Sequence, residues 1–238
     1  MGARKLSIQS KPIQPARSLD EKLFFFINRH WTAPALDWVM AVASSFDFWI
    51  PLILLAAVLV LWRGSARGRL AVACVALAIL VSASLDGPLK RTFNRLRPYQ
   101  VIAGTRQVDL DHRARPRLLA LGRALDVHYS PASPPVAAEG RSFPSGHTMN
   151  NFAAATMLAL FFRRRRGWLY FPVAALVGWS RIYVGSHWPS DVLLSALLGC
   201  GLALVTAAGI AWAWRRWVGE DKPGPFVVTI ARSRQDGG

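Results

Sequence analysis

Long apolar segments alternate with short polar ones along most of the chain. The runs with few or no charges cover residues 48–62, 70–85, 152–162, 168–183 and 189–214. A helix rises about 1.5 Å per residue and needs about 20 residues to cross the hydrocarbon core of a bilayer, so the shorter runs require flanking residues to complete a span. This pattern predicts an all-α fold, an integral membrane bundle of about six transmembrane helices.

The first part of the chain has a less regular pattern. Apolar residues at 23–27 and 35–43 are separated by a polar stretch and by Pro34. We expect an interfacial helix followed by a short or broken membrane helix. Residues 1–18 are polar and basic, with two prolines, and predict a disordered arm. The membrane domain is therefore expected to extend over 19–214.

Two other polar segments lie outside the apolar runs. Residues 99–142 contain many Arg, Asp, Pro and Gly residues and predict an extramembrane loop with a short helix near 116–125. Residues 215–238 predict a basic, mostly unstructured cytoplasmic tail.

The composition supports a membrane protein. The chain is 53% hydrophobic with a mean hydropathy of +0.26, and only 18% of its residues are charged, which is typical of proteins embedded in a bilayer. The net charge of +16 does not indicate a nucleic-acid partner, because the basic residues cluster between apolar runs instead of forming one stripe. Cys74 and Cys200 lie in apolar runs, so we expect buried thiols and no disulfide framework. No removable signal segment is evident at the N-terminus.

The arginines indicate how the bundle is oriented. They cluster at 63–69, 163–166 and 215–216, which follow alternate helices and therefore lie on one side of the membrane. The positive-inside rule makes that side cytoplasmic, whereas the opposite short turn at 185–188 has no Lys or Arg. We expect a multi-pass protein of the inner (plasma) membrane, with the 99–142 loop and the active site facing the periplasm or the outside.

Polar motifs lie at the predicted outer ends of the helices. Lys90 and Arg97 are two helical turns apart and project from one face, although snorkelling cations at a helix end show the same pattern. Ser145, Gly146 and His147 open the fourth helix, where free backbone N–H groups favour an anion and the serine can cap the helix. An ordinary helix start with an incidental histidine is the simpler alternative.

A third motif joins the fifth and sixth helices. Arg181 offers a permanently charged fork for phosphate or carboxylate, and His187 lies one helical turn before Asp191, close enough for a carboxylate–imidazole bond. Such a bond fixes the tautomer and leaves the other ring nitrogen free as base or nucleophile. The alternative is a loop with a capping aspartate and a surface histidine.

Together, the motifs predict one anion site. Cations, a helix N-terminus and two imidazoles supply five or six hydrogen bonds of about 1.5–3 kcal/mol each to a charged group, enough to hold a phosphoryl group. No acidic cluster indicates a metal site, and we expect no cofactor. Phosphoryl transfer by cationic clamping, without Mg²⁺, is the predicted chemistry.

The three motifs closely resemble those of the type-2 phosphatidic acid phosphatase superfamily of membrane lipid phosphatases: Lys90-x6-Arg97-Pro98, Pro144-Ser145-Gly146-His147 and Ser180-Arg181-x5-His187-x3-Asp191. The resemblance covers roughly residues 85–200. It implies that His187 forms a phosphohistidine, that Asp191 orients it, and that His147 protonates the leaving oxygen and then activates water. The phosphate-binding residues that it implies are Lys90, Arg97, Ser145, Gly146 and Arg181.

The resemblance also implies a substrate class. We expect a hydrolase of a lipid phosphate or diphosphate at the outer leaflet, with undecaprenyl diphosphate as the preferred substrate. Phosphatidic acid, phosphatidylglycerol phosphate and lipid A phosphates are the alternatives. Three other functions are weighed against hydrolysis: a lipid phosphotransferase, a vanadium haloperoxidase, which the membrane spans disfavour, and a non-catalytic phospholipid-binding or transport protein.

Overall fold

The computed structural model describes residues 18–110, 124–131, 140–162, 167–219, 222 and 224–226. Within these ranges eight α-helices follow one another: α1 (Leu19–Phe25), α2 (Pro34–Ser44), α3 (Phe46–Arg63), α4 (Ala66–Phe93), α5 (Pro98–Val101), α6 (Gly146–Phe161), α7 (Tyr170–Tyr183) and α8 (Pro189–Val218). A π-helical turn, Phe26–His30, continues α1, and a 3-10 turn, Gly167–Leu169, precedes α7. The fold is mostly helical, as predicted.

The polar segment between α5 and α6 contains two short antiparallel strands. Strand β1 (Arg106–Asp109) pairs with strand β2 (Asp126–Tyr129), and Val108 of β1 is buried in the core. The prediction of an all-α fold is wrong for this segment, because four-residue strands are too short for their alternation to stand out from a polar loop. The short helix predicted near 116–125 falls almost entirely outside the described residues.

Three helices in the described part of the chain are long and apolar enough to cross a membrane: α3, α4 with its continuation to Val101, and α8. Most of the α3 surface is exposed, including Leu54 and Leu55, as expected for a helix that faces lipid. Helices α6 and α7 have 16 and 14 residues and are shorter than a straight span of about 20 residues. Six spans therefore stay a prediction, of which three have helices of sufficient length.

Helix α6 packs against α4, α7 and α8. Small side chains line this core, and Ala78, Ala153 and Ala203 are fully buried in it. Small residues let membrane helices approach closely, since packing drives their association in lipid. A Cβ built on Gly199 of α8 would lie 2.2 Å from the Met149 carbonyl oxygen of α6, so the two backbones are in direct contact.

A second core cluster joins α1 to the polar end of the bundle. Phe24 and Ile27 pack in this cluster with Tyr183 and Trp188. Trp188, in the turn between α7 and α8, is only 6% exposed, and its indole N–H donates to the Leu96 carbonyl at 2.8 Å. The turn between α7 and α8 is therefore part of the core and not a surface loop.

The ends of the chain and the cysteines agree only in part with the predictions. Helix α8 continues to Val218, beyond the predicted end of the membrane domain at residue 214, and Phe226 packs on Phe161 of α6. Cys74 is buried and Cys200 is half-buried, and both are free thiols. The predicted arm, apart from its last residue, and most of the predicted tail lie outside the described residues.

Candidate active site

The three predicted motifs meet at one end of the bundle. Lys90 lies in the last turns of α4, Arg97 directly before α5, His147 in the first turn of α6, and His187 between α7 and α8. The positive charges of Arg181, Arg97 and Lys90 act on both imidazoles. Residues from distant parts of the chain therefore surround one region.

His187 is almost fully buried, with 2% of its surface exposed. Its Nδ1 atom lies 2.6 Å from the backbone carbonyl oxygen of Ser142. A carbonyl oxygen only accepts hydrogen bonds, so Nδ1 carries the proton and donates it, and Nε2 keeps its lone pair. The imidazole therefore has the tautomer that a nucleophile at Nε2 requires.

The structure corrects the predicted bond between His187 and Asp191. The distance from Asp191 Oδ2 to His187 Nδ1 is 4.0 Å, too long for a hydrogen bond. Oδ2 instead accepts the Trp188 backbone N–H at 3.1 Å and the Ser142 hydroxyl at 2.5 Å, and Oδ1 accepts from Arg95 at 2.5 Å. A carboxylate at the third position of a helix commonly accepts a hydrogen bond from the N-cap backbone N–H, as Asp191 does here. The link from Asp191 to His187 therefore runs through Ser142, which donates its hydroxyl to Asp191 and accepts Nδ1–H of His187 with its carbonyl.

Burial lowers the pKa of His187 well below its ordinary value of 6.5, and the nearby charges of Arg181 and Arg97 lower it further. The bond to the Ser142 carbonyl acts in the opposite direction but does not outweigh them. Loss of hydration penalises the charged imidazolium and not the neutral ring. His187 is therefore uncharged at neutral pH in the unliganded protein.

The start of α6 uses its polar groups differently from the prediction. Ser145 is fully buried at the N-cap position, but its hydroxyl makes no capping bond and accepts from Thr148 Oγ1 at 2.9 Å. The Ser145 backbone N–H donates to Ser195 Oγ of α8 at 2.8 Å. A Cβ at Gly146 would lie 2.9 Å from Asp86 Oδ1, so the glycine leaves room for the carboxylate of α4 beside the start of α6.

The three predicted phosphate-binding cations have different surroundings. Lys90 Nζ pairs with Asp86 Oδ2 at 2.6 Å, and Arg97 is the residue that precedes α5. Arg181 donates from Nη1 to both the carbonyl and the hydroxyl oxygen of Ser44 in α2. The broken helical segment before α3 therefore orients one of the site cations.

The Nε atom of Arg181 is buried and has no hydrogen-bond partner among the described residues. A buried donor without a partner costs about 1–3 kcal/mol. Arg181 lines a cavity of about 350 Å³, together with His147 of α6, Gln107 and Asp109 of β1, and His128 of β2. An anion bound beside Arg181 would satisfy this donor.

His147 lies at the boundary between two kinds of surface. On one side it lines the polar cavity beside Arg181. On the other it borders a groove of about 250 Å³ between α2, α3, α6 and α7, with mostly apolar walls that include Trp49, Ile53 and Val173. The site therefore adjoins both a polar space and the lipid-facing helix α3.

Sequence reasoning missed three residues of the site. The Ser142 carbonyl accepts a hydrogen bond from Nδ1–H of His187, Arg95 pairs with Asp191, and the Asp86 carboxylate of α4 lies close to the start of α6. Arg95 lies inside the first motif, and Ser142 lies two residues before the second. Their position next to the motifs is the signal that could have identified them.

Comparisons with known proteins find a matching family model and several relatives. Residues 71–215 match the family model described as "PAP2 superfamily". The putative undecaprenyl-diphosphatase YbjG of Escherichia coli (strain K12) is 28% identical over 188 residues, which are 77% of this chain and 80% of YbjG.

A lipid A 1-phosphatase of Rhizobium johnstonii is 36% identical over 96 residues, 37% of this chain and 38% of that protein. Seven curated relatives, this one included, are matched over only 14% to 42% of their own lengths. The crystal structure of Aquifex aeolicus LpxE superposes with a TM-score of 0.54 and 27% identity, covering 81% of this chain and 96% of LpxE.

Proposed function

Because this chain belongs to the PAP2 superfamily and is a membrane phosphatase of that type, we propose that it hydrolyses a lipid phosphate or diphosphate through a phosphohistidine on His187. The neutral imidazole, with Nδ1–H bonded to Ser142 and Nε2 unprotonated, supports the nucleophilic role. The unpartnered Nε of Arg181 supports an anion beside it.

In the first step, Nε2 of His187 attacks the terminal phosphorus, and the bond from that phosphorus to the leaving oxygen breaks. The leaving oxygen is the alcohol oxygen of a lipid monophosphate or the bridging oxygen of a lipid diphosphate, which departs as the lipid monophosphate. His147, which carries a proton once the anionic phosphate is bound beside it, gives that proton to the leaving oxygen, a role that typically contributes about 10²–10⁴-fold to the rate. Lys90, Arg97 and Arg181 neutralise the negative charge on the non-bridging oxygens. The resulting imidazolium keeps its Nδ1–H bond to the Ser142 carbonyl.

In the second step, His147, now neutral, takes a proton from water while the water oxygen attacks phosphorus. The nitrogen–phosphorus bond breaks, its electron pair returns to His187, and inorganic phosphate leaves. All proton transfers in this sequence start or end on His147, so one imidazole serves as acid and then as base. No step requires a metal ion.

The position of His147 between the polar cavity and the apolar groove carries the proposal of a lipid substrate. The oxygen that leaves belongs to the lipid and must receive its proton from His147. An acid at the edge of an apolar groove can meet that oxygen while the hydrocarbon chain lies in the groove and the phosphate contacts Arg181. A water-soluble phosphate ester would make no use of the groove.

We propose undecaprenyl diphosphate, at the outer leaflet of the plasma membrane, as the substrate. YbjG, a relative matched over 80% of its length, is named a putative undecaprenyl-diphosphatase. The second candidate is a lipid A phosphate, which is favoured by the match to a lipid A 1-phosphatase. Phosphatidic acid and phosphatidylglycerol phosphate are further members of the same class.

A substrate panel in detergent tests the proposal. The purified protein should release inorganic phosphate from undecaprenyl diphosphate in the presence of EDTA, faster than from lipid A 1-phosphate, phosphatidic acid or phosphatidylglycerol phosphate. A different order of rates would identify a different preferred substrate, and strict dependence on added metal would contradict the mechanism. Adding an acceptor lipid distinguishes a phosphotransferase, since phosphate would then appear on the acceptor instead of in solution.

Replacing the nucleophile tests the covalent step. His187→Ala should reduce turnover to background, because the variant lacks the ring nitrogen that takes the phosphoryl group in the proposed first step. Rapid acid-free quenching of the wild type with radiolabelled substrate should give a protein-bound label that is stable to base and labile to acid, as expected for phosphohistidine. Normal turnover by the folded His187→Ala protein would show that the nucleophile is a different residue.

A further inference from the structure

A guanidinium outside the predicted site joins two carboxylates from distant parts of the chain. Arg95 donates from Nη1 to Asp191 Oδ1 at 2.5 Å and from Nη2 to Asp20 Oδ2 at 2.6 Å. Nη1 also donates to Ser190 Oγ at 2.8 Å, and the guanidinium lies over the Trp188 ring, 5.5 Å from its centroid. Arg95 is therefore at the centre of a network around the start of α8.

From Arg95 the contacts lead to the nucleophile in three steps. Arg95 binds one oxygen of Asp191, and the other oxygen accepts the Ser142 hydroxyl at 2.5 Å. The carbonyl of the same serine accepts Nδ1–H of His187 at 2.6 Å. Asp191 and Ser142 are fully buried, and a buried carboxylate needs a bonded cation to remain charged in place. Arg95 supplies that cation.

The amino-terminal helix supplies the other end of the network. Besides Arg95, Asp20 of α1 accepts the Ser190 backbone N–H at 2.9 Å and its hydroxyl at 2.6 Å. A capping box between Ser18 and Glu21 fixes the start of α1, and Phe24 is completely buried against the core. Asp20 is therefore held in a defined position relative to α8.

We propose that Arg95 is a positioning residue for the nucleophile, and that Asp20 fixes Arg95 so that α1 forms part of the active site. The inference rests on the proposed phosphohistidine chemistry at His187. Displacing a reacting atom by about 1 Å can cost about 100-fold in rate. Because the guanidinium is engaged by two protein carboxylates, its loss should slow the attack by Nε2 and leave phosphate binding unchanged.

Steady-state kinetics separate this role from substrate binding. We expect Arg95→Gln to lower kcat by about 100-fold, with KM and the inhibition constant of vanadate, a phosphate mimic, within about threefold of wild type. Arg95→Lys should recover part of kcat, since it keeps the charge but not the fork. Asp20→Asn should lower kcat by about tenfold.

A matched control lies next to Asp20 in the same helix. Glu21 is also acidic, but its side chain bonds to Ser18 and not to Arg95. Glutamine can keep the capping box, so Glu21→Gln should leave Asp20 in place and retain wild-type kcat. An Arg95→Gln protein with wild-type kcat would overturn the proposal. So would a rise in KM with unchanged kcat, because Arg95 would then contact the substrate. Equal kcat values for Asp20→Asn and Glu21→Gln would show that α1 does not contribute to the active site.

A spectroscopic measurement needs no turnover and separates failure of this inference from failure of the proposed function. In protein with ¹⁵N-labelled histidine, the His187 resonances, assigned by their loss in His187→Asn, should show a neutral Nδ1–H tautomer in a strong hydrogen bond. Arg95→Gln should shift these resonances, and Glu21→Gln should not. Unchanged His187 resonances in folded Arg95→Gln would overturn the proposal even if no lipid on the panel is hydrolysed.

Discussion

At the scale of single residues, the orientation of the nucleophile depends on a backbone carbonyl. His187 donates to the Ser142 carbonyl, and the Asp191 carboxylate acts one residue further away by holding the Ser142 hydroxyl. A carbonyl cannot take up a proton, so this arrangement fixes the tautomer at every pH at which the ring is neutral. Because the carbonyl orients the ring, the Asp191 carboxylate is available to pair with Arg95.

Acid should destabilise the folded protein through His187. Its folded-state pKa is held well below 6.5, whereas the unfolded chain restores the ordinary value, so below about pH 6.5 the unfolded state binds more protons. The stability conferred by the neutral ring is present above that pH and is lost as the pH falls below it, at up to about 1.4 kcal/mol per pH unit.

Thermal unfolding in detergent between pH 8 and 5 measures this effect. His187→Asn, which cannot be protonated, should lose less stability on acidification than the wild type. His30→Asn replaces an exposed histidine and should follow the wild type. If the curves of the wild type and His187→Asn run parallel, the buried imidazole does not control the acid response.

The motif residues could be predicted from sequence, but their partners could not. Spacing alone selects Lys90, Arg97, His147 and Arg181, because each belongs to a short local pattern. The bond from Arg95 to Asp20 links residues 75 positions apart, and no local pattern reports such a distance. The predicted His187–Asp191 bond was wrong because the spacing brings the two side chains near each other but does not show that the Ser142 carbonyl lies closer to the imidazole than the carboxylate does.

At the scale of helices, the contact between α6 and α8 determines the geometry of the site. Ser145 and Ser195 are hydrogen bonded across it near the catalytic end, and Gly199 lies against the Met149 backbone one turn further along. Both contacts require small residues on α8. The separation of these two helices therefore sets the distance between His147, on α6, and the turn that carries His187.

Adding one methyl group to this contact should be costly. Gly199→Ala places its Cβ 2.2 Å from the Met149 carbonyl oxygen, so the helices must separate, and we expect a loss of about 1–3 kcal/mol together with reduced kcat. Gly201→Ala is the matched control, since nothing lies within 4 Å of its Cβ. It should be neutral or stabilising by up to about 1 kcal/mol. Equal unfolding free energies, measured by denaturant titration in micelles, would refute close α6–α8 packing.

Long apolar helices were predicted well, and the short elements were not. The boundaries of α3 and α8 follow from charges and glycine or proline at the ends of apolar runs, as at Arg63 and Pro189. The pairing of β1 with β2 depends instead on burial of Val108 in the core cluster that contains Phe24 and Tyr183, which requires the folded chain. Gly185, with φ of +78° and an added Cβ only 2.6 Å from the Arg106 carbonyl oxygen, allows β1 to approach the turn between α7 and α8.

At the scale of the whole molecule, the arginines at 63–69 and 215–216 and the candidate site lie at opposite ends of the helices. The α3–α4 connection carries Arg63 and Arg67, whereas the opposite ends of α4 and α8 bear the site. The prediction of an outward-facing site follows from this polarity and the positive-inside rule.

Labelling of single cysteines in intact cells tests the orientation. In a background of Cys74→Ser and Cys200→Ser, Tyr129→Cys on β2 should react with a membrane-impermeant maleimide added outside, because Tyr129 is 63% exposed. Arg63→Cys should react only after the cells are permeabilised. The reverse pattern would place the site in the cytosol and exclude a substrate of the outer leaflet.

The bond between Asp20 and Arg95 matters for the choice of the translation start site. Every residue of the three motifs, and the whole of the 71–215 family match, lies downstream of the internal methionine Met40. Translation initiated there would give a polypeptide with a complete set of catalytic signatures but without the carboxylate that steadies Arg95. Such a shortened product would pass as an intact enzyme in any motif search, yet it should turn over slowly.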